Sequence, residues 1–149
     1  MRDRREEILE RLTEIAGCLV GGSAVFRNRE EIPEAPRPAI LINDGDESVE
    51  EPEGPPRRRR NDVVSMIPDI TIFAQGATSV DLAKARADLR RRLVAAVLSD
   101  SDLNEITGAN GDVRYTGCGT RDVMGRNMMG QAGVAFTFTY PLLLSEVEL

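Results

Sequence analysis

Asp44, Asp46, Glu47, Glu50, Glu51 and Glu53 place six carboxylates in ten residues with no positive charge among them, and Arg57, Arg58, Arg59 and Arg60 follow two prolines later. Clustered carboxylates are the raw material of general acid–base catalysis, and clustered arginines that of phosphate recognition. The remaining residue types narrow both uses. The chain has no histidine, so Ser–His–Asp, Cys–His and His-ligated metal chemistry are excluded. Its two cysteines, Cys18 and Cys118, form no Cys-x-x-Cys pair, which argues against structural zinc. Neither GxxxxGK nor GxGxxG occurs, so no glycine-rich phosphate cradle is expected. The sequence therefore predicts no enzyme, no catalytic or cofactor-binding residue, no metal site and no cofactor.

Three uses remain for the charged stretch: a grip on nucleic acid, a solvated loop, or a contact between subunits. The net charge of −6, from 19 bases and 25 acids, works against general phosphate affinity. An arginine patch built from Arg57–Arg60 and the Arg86, Arg90, Arg91 and Arg92 group is the nucleic-acid alternative. Lys84 is the only lysine, and a GC-rich genome accounts for such an arginine bias without any function. No apolar run approaches the roughly 18 residues of a membrane span, and "MRDRREEILERL" lacks the apolar stretch of a secretion signal. The expectation is a soluble intracellular protein with reduced thiols and no membrane partner.

The elements that would carry these groups follow from periodicity. Residues 3–20 read as an amphipathic helix, with Ile8, Leu12, Ile15 and Leu19 at helical spacing and Cys18 on its apolar side as a small core residue. Gly21–Gly22 ends it. "SAVFRNR" is a short strand. "EEIPEAPRP" is too proline-rich for a helix or a central strand, and "AILIN" (39–43) is a strand. Residues 44–60 have no apolar periodicity and read as a loop or the exposed tip of a hairpin. From Val63 onward, Met66, Ile70 and Ile72 share one strand face, with Ile67 and Phe73 on the other; Pro68 implies an edge position or a bend. A second helix spans about Ser79 to Leu98, capped by Ser79, with a short helical turn at 102–105. "DVRYTGCGTRDV" is a strand with glycine breaks, its "TGCGT" a turn or strand end. "GRNMMGQ" is a flexible connection, and "GVAFTFTYPLLL" is a strand of strict period-two alternation. The chain thus reads as one domain, 1–149, of class α+β: a mainly antiparallel sheet with two helices packed on one face, in the order α-β-β-β-α-β-β.

That order, with "AVFRNREEIPEAPRPAILI" after the first helix, the polar stretch dividing the next two strands, the helix "LRRRLVAAVLSDSDLNEITG" and the ending "YTGCGTRDVMGRNMMGQAGVAFTFTYPL", resembles the tail terminator proteins of long-tailed phages, also called tail completion or tail-to-head joining proteins. The pattern fits neighbouring neck or minor tail proteins of related fold as well. The resemblance implies a structural virion protein, assembled in the host cytoplasm, that forms a hexameric ring. Such a ring caps the tail tube and meets the connector of the head. Its implied partners are further copies of itself, the tail tube protein and the head–tail connector protein, with DNA passing through the channel without specific binding. On that reading Glu50, Glu51, Glu53, Arg57, Arg58, Arg59 and Arg60 are subunit-interface candidates, because complementary charge fixes register between subunits. Met124, Met128 and Met129 are candidates for an adaptable partner contact.

Overall fold

A computed structural model describes residues 3–30, 38–49, 62–123 and 128–142. Its elements are α1 (Arg4–Val20), a 3-10 turn (Gly22–Ala24), β1 (Val25–Arg27), β2 (Ala39–Val49), β3 (Asp62–Gly76), α2 (Ser79–Leu98), α3 (Ser101–Thr107), β4 (Asp112–Val123) and β5 (Met128–Leu142). Five strands form one sheet in the order β1-β2-β3-β5-β4. Only β1 and β2 run parallel; the other three pairings are antiparallel. The α+β class and the one-sided packing of the helices agree with the expectation, and α3 is an addition to the expected order.

α1 starts where Asp3 accepts a hydrogen bond from the Glu6 N–H at 3.2 Å, and it stops at Gly21, whose φ is +91°. It buries Ile8, Leu9, Leu12, Ile15 and Ala16. Cys18 is exposed, not a core residue. In that last turn Leu19 and Val20 pack partly buried against the core, while Cys18 points off that face. α2 is capped by Thr78, not Ser79: the Thr78 hydroxyl accepts from the Asp81 N–H at 3.1 Å. Its buried line is Leu82, Leu89, Leu93 and Val97. Gly76 lets the end of β3 pass close under the start of this helix, since a Cβ there would collide with the Leu82 backbone nitrogen and lie 2.7 Å from the Leu82 Cα.

The core lies between the helices and the inner face of the sheet. Val64, Met66, Ile70 and Ile72 from β3 alternate with partly or fully exposed residues, and Val134, Phe136, Phe138 and Tyr140 do the same in β5. Burying each such large side chain contributes about 1.5–3 kcal/mol, so these two strands anchor the fold. The Phe136 ring packs tilted against Tyr115 at 5.7 Å and Phe138 at 6.3 Å between centroids.

Pro68 does not mark an edge: β3 is the central strand, paired on both sides. The proline is accommodated by a bulge in β2. Asn43 pairs with Asp69 and Asp46 with Ile67, so Asp44 and Gly45 together face Pro68, where a ladder N–H is missing. Gly45 has φ +70°, and a side chain there would strike the Ile67 carbonyl and approach the Pro68 Cα at 2.9 Å. Two further expectations are corrected by pairing. Cys118 lies inside β4, opposite Val134, not in a turn or at a strand end. Met128 to Gln131, read as part of a connection, pair with Gly76 to Phe73 as the start of β5. Backbone pairing to neighbours on both sides orders a glycine-rich stretch that has no apolar alternation of its own.

Candidate assembly interface

The charged stretch is not one loop. Asp44 to Val49 form the outer half of β2; past the Asp44–Gly45 bulge, Asp46 to Val49 pair with β3, which is itself paired with β5 there, so among the described residues this half of β2 is an edge of the sheet. A strand of strongly acidic composition is locally unfavourable, and the tertiary setting supplies the compensation. Arg27 reaches across from β1, donating to both carboxylate oxygens of Glu6 at 2.8 and 2.9 Å and to Asp44 at 3.2 Å. That guanidinium lowers the Glu6 carboxyl pKa, while its own pKa rises, chiefly through the hydrogen bonds to Glu6. Arg5 donates to the Gly45 carbonyl at 2.7 Å, which holds the bulge against α1. The buried Tyr140 hydroxyl donates to Glu47 at 2.7 Å. Burial first, and then that carboxylate, raise the phenol pKa.

Asp44 and Glu47 are therefore engaged inside the subunit. Glu50, Glu51, Glu53 and Arg57–Arg60 lie outside the described residues, as does Met124. Met128 and Met129 belong to β5 by backbone pairing; their side chains are not among those described. In the sequence the Glu50–Arg60 candidates fall between Val49, at the end of β2, and Asp62, at the start of β3, while Met128 and Met129 pair with Gly76 and Gln75 at the other end of β3.

A second surface escaped the sequence reading. On the outer face of the sheet, turned away from the helices, Ala39 and Leu41 near β1 are buried and Arg29 stacks over Phe26 at 5.1 Å. Farther along β3 and β5 the side chains shrink to Gly133 and Ala135. A groove of about 630 Å³ runs there, rimmed by Asp46, Ile67 and Asp69. Ile67 is 48% exposed in the middle of the central strand. The sequence did place Ile67 opposite Ile70 and Ile72; it carried no sign that nothing among the described residues covers it.

Two other charged groups have structural explanations. Arg11 forms a fork with Asp100 at 3.0 and 2.7 Å and also donates to Glu14 at 2.8 Å, tying α1 to the start of α3. Of the α2 arginines, Arg91 pairs with Asp88 at 2.8 Å and Arg92 stands 4.0 Å from the same carboxylate, which weakens the field a nucleic acid would meet. Among the described residues no group of three or more Cys, Asp or Glu is disposed to hold a metal ion, and no helix is long and apolar enough to cross a membrane.

No protein-family model and no curated protein matches the chain. Among solved structures it is similar to a chain of the virion of a native gene transfer agent particle, at 18% identity and a TM-score of 0.48, over 92% of this chain and 91% of that one. A likeness of that size carries no argument about the role of this protein, which has to come from its own surfaces.

Proposed function

We propose that this chain is a structural virion protein of the tail-terminator type: copies close into a ring, of six on the family resemblance, that ends the tail tube and joins it to the head connector. It works by shape and surface charge, without bond-making chemistry. The observation that carries the reading is the outer half of β2. β2 continues past its last pairing with β1, at Ile42, as Asp46 to Val49, an edge of the sheet among the described residues with Val49 54% exposed, and a charged segment follows it in the sequence. Such an edge on one side and an exposed sheet face on another are non-equivalent surfaces. Contacts between unlike surfaces are heterologous, and they generate closed rings when the rotation closes. The family resemblance supports the same reading over nearly the whole chain, through an element order that reappears in the fold.

The test is mass in solution together with location in the particle. Sedimentation of the purified chain should give a species of six subunits, in isolation or on addition of assembled tail tubes. A label on the chain should appear at the head-proximal end of the tail. A label elsewhere in the particle, or a chain that stays monomeric with and without tubes, would sink the proposal.

A further inference from the structure

We infer that the outer-face groove is the receiving site for the arginine tetrad, Arg57–Arg60, of a second copy of this chain. The inference rests on the ring reading for its setting and on the groove for its substance. The groove is formed by Gly45, Asp46, Ile67, Asp69, Gly133 and Ala135. Its floor is open because a Cβ on Gly133 would meet nothing within 4 Å. Asp46 and Asp69 are exposed and have no ion-pair partner among the described residues, unlike Asp44, Asp88 and Asp100. An apolar side chain between two carboxylates suits arginine. The aliphatic stem packs on Ile67 while the guanidinium fork reaches a carboxylate, and a fixed fork is better matched to carboxylates than lysine's ammonium.

Chain geometry selects the second copy. Ile67 and Asp69 stand five and seven residues into β3 from Asp62, or about 17 and 23 Å along a strand rising ~3.3 Å per residue. Arg60 is two residues before Asp62, which holds it within about 7 Å of that residue at full extension. The tetrad cannot lie as a block in the groove of its own subunit. Each copy then offers a tetrad and receives one, a contact between unlike surfaces that repeats head to tail. A rival acidic surface exists between α1 and α3, lined by Glu7, Glu10, Glu14, Asp102 and Glu105. Arg11 already stands within it, hydrogen-bonded to Glu14 and 3.5 Å from Asp102.

The test uses the full chain with Arg57–Arg60 replaced by serine, titrated with the synthetic peptide GPPRRRRN. Amide shifts should move at Ile67, Asp69, Gly133 and Ala135, and Asp46→Asn with Asp69→Asn should weaken the peptide at least tenfold. Shifts confined to Glu10, Glu14, Asp102 and Glu105, or no saturable binding, would overturn the inference. A complementary measurement mixes tetrad-less copies with copies carrying the two asparagines. Only one competent contact then remains per pair, so a 1:1 complex is expected, and its absence counts against the groove. Peptide binding to the groove by a chain that never assembles would uphold this site and remove the ring. A wild-type hexamer whose groove ignores the peptide would do the reverse.

Discussion

The two faces of the sheet come from alternate residues of the same strands, yet they differ in what constrains them. On the inner face Met66, Ile70, Phe136 and Phe138 are sealed under α1 and α2, and each side chain is held by neighbours of matching volume. On the outer face, Ile67, Asp69 and Gly133 are exposed and Ala135 partly exposed among the described residues. The inner face is occupied with folding. The outer face is free of that duty, so an isoleucine and a pair of acids there call for an explanation from outside the subunit.

Four substitutions would break or sharpen this contrast. The largest effect belongs to the sealed face. Phe138→Ala should destabilise the chain by about 3–5 kcal/mol in denaturant titration, through lost burial and the cavity left behind. Thr137→Ala, one residue away on the open face, should stay within roughly 0.5 kcal/mol. Equal effects would mean that the two faces are not distinct in packing.

Next comes the link between helices. Asp100 caps α3 by accepting the Leu103 N–H at 2.9 Å and accepts the Arg11 fork. Its side chain is only 10% exposed. Asp100→Ala should cost about 2 kcal/mol at neutral pH, combining a lost cap and a charge-assisted hydrogen bond. The Arg11 hydrogen bond, against the opposing effect of burial and with the help of the Leu103 N–H, lowers the Asp100 carboxyl pKa. A lowered folded-state pKa stabilises the protein fully above the unfolded carboxylate value, about 4, and that stabilisation fades as pH falls through the folded value. The gap between wild type and Asp100→Ala should accordingly be flat above about pH 5 and shrink below about pH 4. A gap that widened on acidification would contradict the pairing.

The smallest expected effect on stability is the most informative about function. Ile67→Ser should change unfolding free energy by less than about 0.5 kcal/mol, as an exposed position, while lowering the association of copies measured by sedimentation. A large loss of stability with unchanged association would make Ile67 an ordinary packing residue.

Much of the fold was legible because periodicity is a direct imprint of burial. The alternation of Val134, Phe136, Phe138 and Tyr140, and the helical spacing of Ile8, Leu12 and Ile15, need only one apolar environment to be meaningful, and the structure supplies it. Of the two readings of Pro68, an edge or a bend, the edge failed because a proline signals a missing N–H without saying which strand absorbs the defect; the bulge at Asp44–Gly45 lies on the partner, 23 residues away in the chain. The acid stretch was read as a loop or an exposed hairpin tip, not as paired strand from Asp46 on, because strand propensity is set by cross-strand partners, and Arg27, Arg5 and Tyr140 are not neighbours of Asp44–Glu47 in sequence.

Local order and composition were enough to determine the α+β class, the core strands, both long helices and the lack of histidine-based chemistry, since these depend on residue type and on spacing within a few turns. Only the tertiary structure decided that β3 is central, that Asp44 and Glu47 are engaged within the subunit, and that Asp46, Ile67 and Asp69 gather beside a glycine floor. Those facts depend on which distant strands pair and in what register, and a one-residue shift in register would send every one of these side chains to the other face.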